Sequence, residues 1–296
     1  MLKTHALRTL TIDPRTHPRA QRHLSAASGL VCANGRVYVV ADDEHHLAVF
    51  RDRDSPGELH RLFAADLPDG KKQRKRLKPD LETLLYLPNG NALVALGSGS
   101  RPNRNTGVVI RLGAGGEPGA DVRHFDLQLL YAPLREALGE INIEGAMLLG
   151  DAFVLLNRGV VGRSDNVVAR YPLRTLNDAI EGRLPATRPA SIRRYELGQI
   201  DGVPLAFTDA TALPDGGWVF TAVAEDSSDS YADGRCSGSV VGAVDAAGEV
   251  IVIRRLDPAV KVEGIAVHMD DSGMTLCMVT DADDPAQSSQ LLIARW

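Results

Sequence analysis

Short apolar runs alternate with turn residues along the whole chain, and one pattern recurs five times. Each copy has a small or acidic residue, a short apolar strand, a turn containing Asn, Asp or Gly, and a second apolar strand that ends in polar residues. The first reads Ser28-Gly-Leu-Val-Cys-Ala-Asn-Gly-Arg-Val-Tyr-Val-Val-Ala-Asp, and the others begin at Glu82, Glu144, Asp209 and Glu263. Successive starts lie 54, 62, 65 and 54 residues apart, lengths that suit a four-stranded blade with its loops. Third strands are predicted over 47–50, 107–112, 166–171, 239–244 and 290–295, and outer strands near 59–63, 121–125, 192–195 and 249–254. Only 33 residues follow Glu263, too few for a fourth strand and its loop. The strand-like stretch over residues 5–12 fills that gap, which removes two exposed sheet edges. The pattern therefore predicts a single all-β domain over residues 1–296, a five-bladed β-propeller whose last blade joins both chain ends. A six-bladed ring is the alternative, but it needs a blade of under fifty residues and no sixth copy appears. Helix is expected only in short insertions, at 131–139 and 174–181.

Composition narrows the reading. The chain has 33 basic and 38 acidic side chains, a net charge of −5, so no global polycation points to nucleic acid. Cys32, Cys236 and Cys277 lie far apart with no CxxC pair, which argues against a disulfide scaffold or a cysteine zinc site and suits a reducing compartment. No apolar run has signal-peptide character or membrane-spanning length, so a soluble, cytoplasmic protein is expected.

Chemistry enters where the copies are aligned. Inner strands of a propeller line its central channel, so equivalent positions form a ring. The first column is Ser28, Glu82, Glu144, Asp209 and Glu263, each with a side-chain oxygen; the next is Gly29, Thr83, Gly145, Ala210 and Gly264, all small. Four converging carboxylates cannot all ionise without a counter-charge. A hard divalent cation resolves this, and Ca²⁺, with six to eight oxygen ligands in loose geometry, fits better than octahedral Mg²⁺. The alternative is a water-filled channel whose acids bond to backbone N–H groups. Loops on the same face carry Asp42, Asp43, Glu225 and Asp281, candidates for a general base. They also carry Lys78, Arg101, Arg104, Arg158 and Arg163, candidates to clamp a small anionic ligand such as a phosphate ester. The basic run 71–78 otherwise reads as a solvated loop.

With that column laid out, the chain resembles the five-bladed calcium-activated nucleotidase (apyrase) family, in which Ser or Glu residues from the inner strands surround one axial Ca²⁺. The matching residues are Ser28 in Ser-Gly-Leu-Val, Glu82 in Leu-Glu-Thr-Leu, Glu144 in Ile-Glu-Gly-Ala and Glu263 in Val-Glu-Gly-Ile, with Asp42-Asp43 resembling the family's acidic pair. Thr208-Asp209-Ala departs from the family's Ser-containing strand. The phrases Glu-Gly-Ile-Ala-Val and Val-Thr-Asp-Ala-Asp-Asp also resemble phytase-like and SMP-30 lactonase propellers. The resemblance implies a Ca²⁺-dependent hydrolase of a phosphate ester or nucleotide-like substrate. A lactonase, and a non-catalytic binding module pinned by a structural cation, stand as alternatives.

Other motifs fail on spacing. The Asp281-Ala-Asp283-Asp284 stretch has Ala286 where an EF-hand needs Gly and Leu292 where it needs Glu. No P-loop, GxSxG elbow or HExxH helix occurs. His45-His46 reads as a solvated loop pair, His268 as a channel or core residue, and Trp218 and Trp296 as packing between blades.

Overall fold

The computed structural model describes residues 1–159, 165–226 and 235–296, and these form five small sheets arranged in a ring, antiparallel but for the short Leu2–Lys3 strand. Blade 1 comprises Ala27–Ala33, Arg36–Ala41, His46–Phe50 and Glu58–Arg61. Blade 2 comprises Leu81–Leu87, Ala92–Gly97, Thr106–Leu112 and Pro118–Asp126. Blade 3 comprises Ile143–Leu149, Ala152–Asn157, Asn166–Pro172 and Ser191–Tyr195. Blade 4 has Val203–Ala212, Trp218–Asp226, Arg235–Val244 and Val250–Asp257, extended at its rim by Leu2–Lys3. Blade 5 takes three strands from the C-terminal end, Val262–Asp270, Gly273–Thr280 and Gln290–Arg295. Its outer strand is His5–Thr9, antiparallel to the last strand of the chain, so the two ends close the ring as the strand count requires. The five inner strands touch in order and the fifth touches the first.

Packing follows from the pleat. Alternate side chains leave each sheet on opposite faces, and both faces of a blade meet a neighbour. The second strands of blades 2 and 3 are buried throughout. Five apolar clusters result, one at each junction. Phe153 and Tyr131 lie in the cluster between blades 2 and 3, and Leu47 and Leu93 in that between blades 1 and 2. Trp218 packs between blades 3 and 4, and Trp296 flanks the cluster between blades 4 and 5.

Helix appears at Gln128–Leu138 and Arg174–Ile180, near the expected insertions. The basic run is not a loop: Lys71–Leu77 is a helix, and its Arg74 is buried against Asp43. His268 also differs from expectation. Its strand runs nine residues, two longer than the inner strands of blades 1 to 3, and its last three residues, His268 among them, are exposed. No helix among the described residues is long and apolar enough to cross a membrane.

Candidate functional site at the channel mouth

Each inner strand carries a β-bulge near its start, and the bulged residues are Ser28, Glu82, Glu144, Thr208 and Glu263. A bulge leaves one residue without a cross-strand partner and turns its side chain out of the ladder. The blade-4 member is thus Thr208, where the sequence column placed Asp209. Thr208 behaves as Ser28 does. Ser28 Oγ donates to the Leu81 carbonyl at 2.6 Å, and Thr208 Oγ1 donates to the Val262 carbonyl at 2.8 Å, each bond reaching the next blade. Asp209 falls in the small-residue column beside Gly145, whose added Cβ would lie 3.0 Å from the Asp209 Cα. Its carboxylate accepts the Ile265 N–H at 2.9 Å and the Ala210 N–H at 2.8 Å, so it joins blade 4 to blade 5. Burial nonetheless pushes its pKa well above the ordinary value, against those two bonds.

The three glutamates meet different partners. Glu144 accepts from Asn142 at 2.5 Å and lies 3.4 Å from Arg158. Burial, with Glu263 and Asp80 nearby, raises it to about 8 despite Arg158. Glu263 lies 3.3 Å from the Lys261 ammonium and 3.8 Å from Arg158, yet neither of its buried oxygens accepts a hydrogen bond. Burial raises its pKa also, with Lys261 and Arg158 opposing. Glu82 has neither a hydrogen bond nor an ion pair among the described residues. Burial and the charges of Glu144, Asp80 and Asp42 push it well above its usual range. One oxygen each from Asp42, Asp80 and Glu82 lie within 4.8 Å of one another.

The basic residues expected at the mouth are mostly committed to these acids. The Lys78 ammonium bridges Asp42 and Asp80, the latter at 2.8 Å, and Arg104 holds the other Asp80 oxygen at 2.7 Å. Burial disfavours an ionised Asp80, but Lys78 and Arg104 more than offset it and hold its pKa below the usual value. Arg158 pairs with Glu225 at 2.5 Å as well as with Glu144. Arg101 is exposed on the surface, and Arg163 lies outside the described residues. Lys261, two residues before Glu263, gathers Asp283 at 2.7 Å, Glu225 at 3.7 Å and Asp281 at 3.9 Å. Around the axis, eight described carboxylates (Asp42, Asp80, Glu82, Glu144, Glu225, Glu263, Asp281 and Asp283) face Lys78, Arg104, Arg158 and Lys261.

Of the four acids expected to act as bases, three line one cavity of about 70 Å³: Asp42, Asp43 and Asp281. Lys71, Arg74 and Lys75 of the short helix line it too, with Lys78, Asp283 and Asp284. Glu225 instead sits in the ion pairs of Arg158 and Lys261. Burial, with Asp42 and Glu44 close by, raises Asp43 to about 7 against the pull of Arg74 and Lys78. Next to it, Glu44 is buried and paired with His17 at 3.1 Å and Arg19 at 2.5 Å, which pins residues 17–19 onto blade 1. Burial opposes ionisation of Glu44, but its hydrogen bond with His17, the nearby His46 and the Arg19 charge hold it at about 2. His46 is accordingly buried, not solvated, because it opens the third strand of blade 1 and faces Glu44 at 3.7 Å.

Sequence reasoning passed over Asp80 and Lys261. Each stands two residues before a channel glutamate, the period that keeps side chains on one side of a strand, and that spacing was the available signal.

Fold and site together define a five-bladed propeller with an acid-lined, ion-paired axial mouth. The chain belongs to DUF6929, a family of unknown function, which matches residues 23–295. No curated protein matches it. Among solved structures it is similar to the glutaminyl cyclase of Myxococcus xanthus, with 13% identity, TM-score 0.51, and 100% of this chain and 98% of that one covered. It is also similar to a putative glycoside hydrolase of Parabacteroides distasonis, with 12% identity, TM-score 0.52, and 97% and 91% covered. A GH43 glycoside hydrolase gives a TM-score of 0.54 at 10% identity, covering 100% of this chain and 52% of that one. At such identities the likeness is one of fold.

Proposed function

We propose that the protein is a hydrolase of small anionic molecules that works at the channel mouth with a divalent cation, calcium by the nature of its donors. The observation that carries this reading is Glu82, whose carboxylate accepts no hydrogen bond and makes no ion pair among the described residues, with the Lys78 charge nearby, while it stands within reach of Asp42 and Asp80. Three hard oxygen donors, one of them from an acid that makes no ion pair, fit Ca²⁺, and the acids around the axis outnumber their cations two to one. Asp42, Asp80 and Glu82 would hold the ion, with Lys78 and Arg104 moderating the charge on Asp80. Once bound, it would supply Lewis acidity toward a phosphoryl or carbonyl oxygen.

The chain's own groups supply the rest. Asp43, poised near pH 7 on the cavity wall, is the acid best placed to take a proton from water. Lys71 brings to the cavity the positive charge that an anionic substrate needs. This moves the anion-binding role from Arg104 and Arg158, which are occupied by Asp80 and by Glu144 and Glu225, to Lys71 at the cavity.

Calorimetric titration with Ca²⁺, Mg²⁺ and Mn²⁺ tests the ion. Hydrolysis of nucleotides, phytate, simple phosphate esters and lactones, with and without EDTA, tests the activity. Calcium should bind the wild type and not Glu82→Gln, and Asp43→Asn should lower turnover by about 10²-fold or more without unfolding the protein. An absence of divalent-cation binding, or turnover indifferent to both EDTA and Asp43→Asn, rejects the reading. The ion pairs that occupy Lys78, Arg104 and Arg158 favour a second reading, a binding module in which the cation only pins the blades. It predicts a melting shift on chelation and no turnover of any substrate.

A further inference from the structure

Cys32 and Cys277 are separated by 245 residues of sequence yet stand on neighbouring blades at the junction where the ring closes. Cys32 belongs to the inner strand of blade 1, and Cys277 to the second strand of blade 5, opposite Ala266. The two inner strands approach closely there: a Cβ on Gly264 would lie 2.6 Å from the Ser28 carbonyl oxygen and 3.1 Å from the Leu30 Cβ. Two residues further along both strands, Ala266 comes level with Cys32, which sets Cys277 beside it. Cys277 flanks the apolar cluster that seals blade 5 to blade 1, and its strand touches the strand that carries Cys32. Cys32 is exposed and Cys277 half-buried, so a small reagent can reach the pair. Cys236 stands apart, on the third strand of blade 4.

We propose that Cys32 and Cys277 form a reversible disulfide that latches blade 5 to blade 1. The oxidant is a small disulfide of the glutathione type. One protein thiolate attacks a sulfur of that reagent, breaking its S–S bond and releasing one small thiolate. The second protein thiolate then attacks the mixed disulfide, forming the Cys32–Cys277 bond and releasing the second small thiolate. Two electrons and two protons leave the protein with two molecules of the small thiol.

The physical consequence lies in the closure of the ring. His5–Thr9 holds the last strand, Gln290–Arg295, through backbone hydrogen bonds, and blade 5 holds blade 1 through apolar contacts. A covalent bond enclosing most of the chain restricts the unfolded ensemble and opposes opening of the ring.

Treatment of the full-length protein with oxidised glutathione, followed by thiol counting, non-reducing peptide mapping and thermal melting, tests this. Free thiols should fall from three to one, with one peptide joining Cys32 to Cys277. The melting temperature should rise by several degrees and return with dithiothreitol. Cys236→Ser should behave as the wild type, whereas Cys32→Ser and Cys277→Ser should lose the rise on oxidation. Glutathione retained on either cysteine without a joining peptide, pairing through Cys236, or an oxidised protein that melts with the reduced one would overturn the proposal.

Discussion

The Ser28 hydroxyl donates to the Leu81 carbonyl at 2.6 Å, so the bulge of blade 1 is tied to the first residue of blade 2 at the channel wall. Thr208 repeats the bond to Val262 three junctions further round. Both hydroxyls are buried, and removing either leaves a carbonyl without this donor. Ser28→Ala and Thr208→Val should each destabilise the protein by about 1–3 kcal/mol, read as a lower urea midpoint at unchanged slope. Midpoints matching the wild type would show that the bulges are held by other contacts.

Glu144 gives stability a definite pH dependence. Its pKa in the folded protein is about 8, above the ordinary 4.5 of an unfolded chain, so the native state binds the extra proton between those values. The contribution is fully present below about 4.5 and is lost as pH rises through about 8. In chelated buffer, Glu144→Gln should therefore flatten the fall in stability over that window. Denaturant midpoints at several pH values check it, and parallel curves for the two proteins would contradict the assignment.

Lys78 is the next test. Its ammonium holds Asp42 and Asp80 together in a buried site, and removing one partner of a buried ion pair strands the other charge. Lys78→Met should cost about 3–5 kcal/mol in the absence of metal. Calcium should recover part of that loss if the carboxylates it leaves behind bind the ion. A loss that calcium leaves unaltered would count against Asp42 and Asp80 as ligands.

Close approach of the inner strands sets a steric limit at Gly264. A Cβ there meets the Ser28 carbonyl oxygen at 2.6 Å and the Val279 side chain at 2.8 Å, and backbone cannot swing aside as a flexible side chain would. Gly264→Ala should destabilise by about 1–3 kcal/mol, with loss of the sharp melting transition as a companion sign. A wild-type melting curve would mean that the blades can spread at the axis.

Much of this molecule was legible in its residues alone. Five copies of an apolar-turn-apolar pattern, and the shortage of residues after Glu263, determined a five-bladed ring completed by the N-terminal strand, because strand alternation and turn chemistry are local and chain length is simple arithmetic. Ser28, Glu82, Glu144 and Glu263 could be placed at the axis for the same reason. Tertiary structure decided the rest. A bulge shifts register by one residue, and Thr208 and Asp209 are both polar, so nothing in the pattern distinguished which of them fills the fourth place. Charge runs do not reveal their partners: Lys78, Arg104 and Arg158 are occupied because the folded ring brings Asp42, Asp80 and Glu225 to them. The approach of the strands that carry Cys32 and Cys277 has the same origin. Spacing along the chain measures covalent distance, whereas charge neutralisation and thiol pairing depend on distance through space, which is fixed only once the ring has closed.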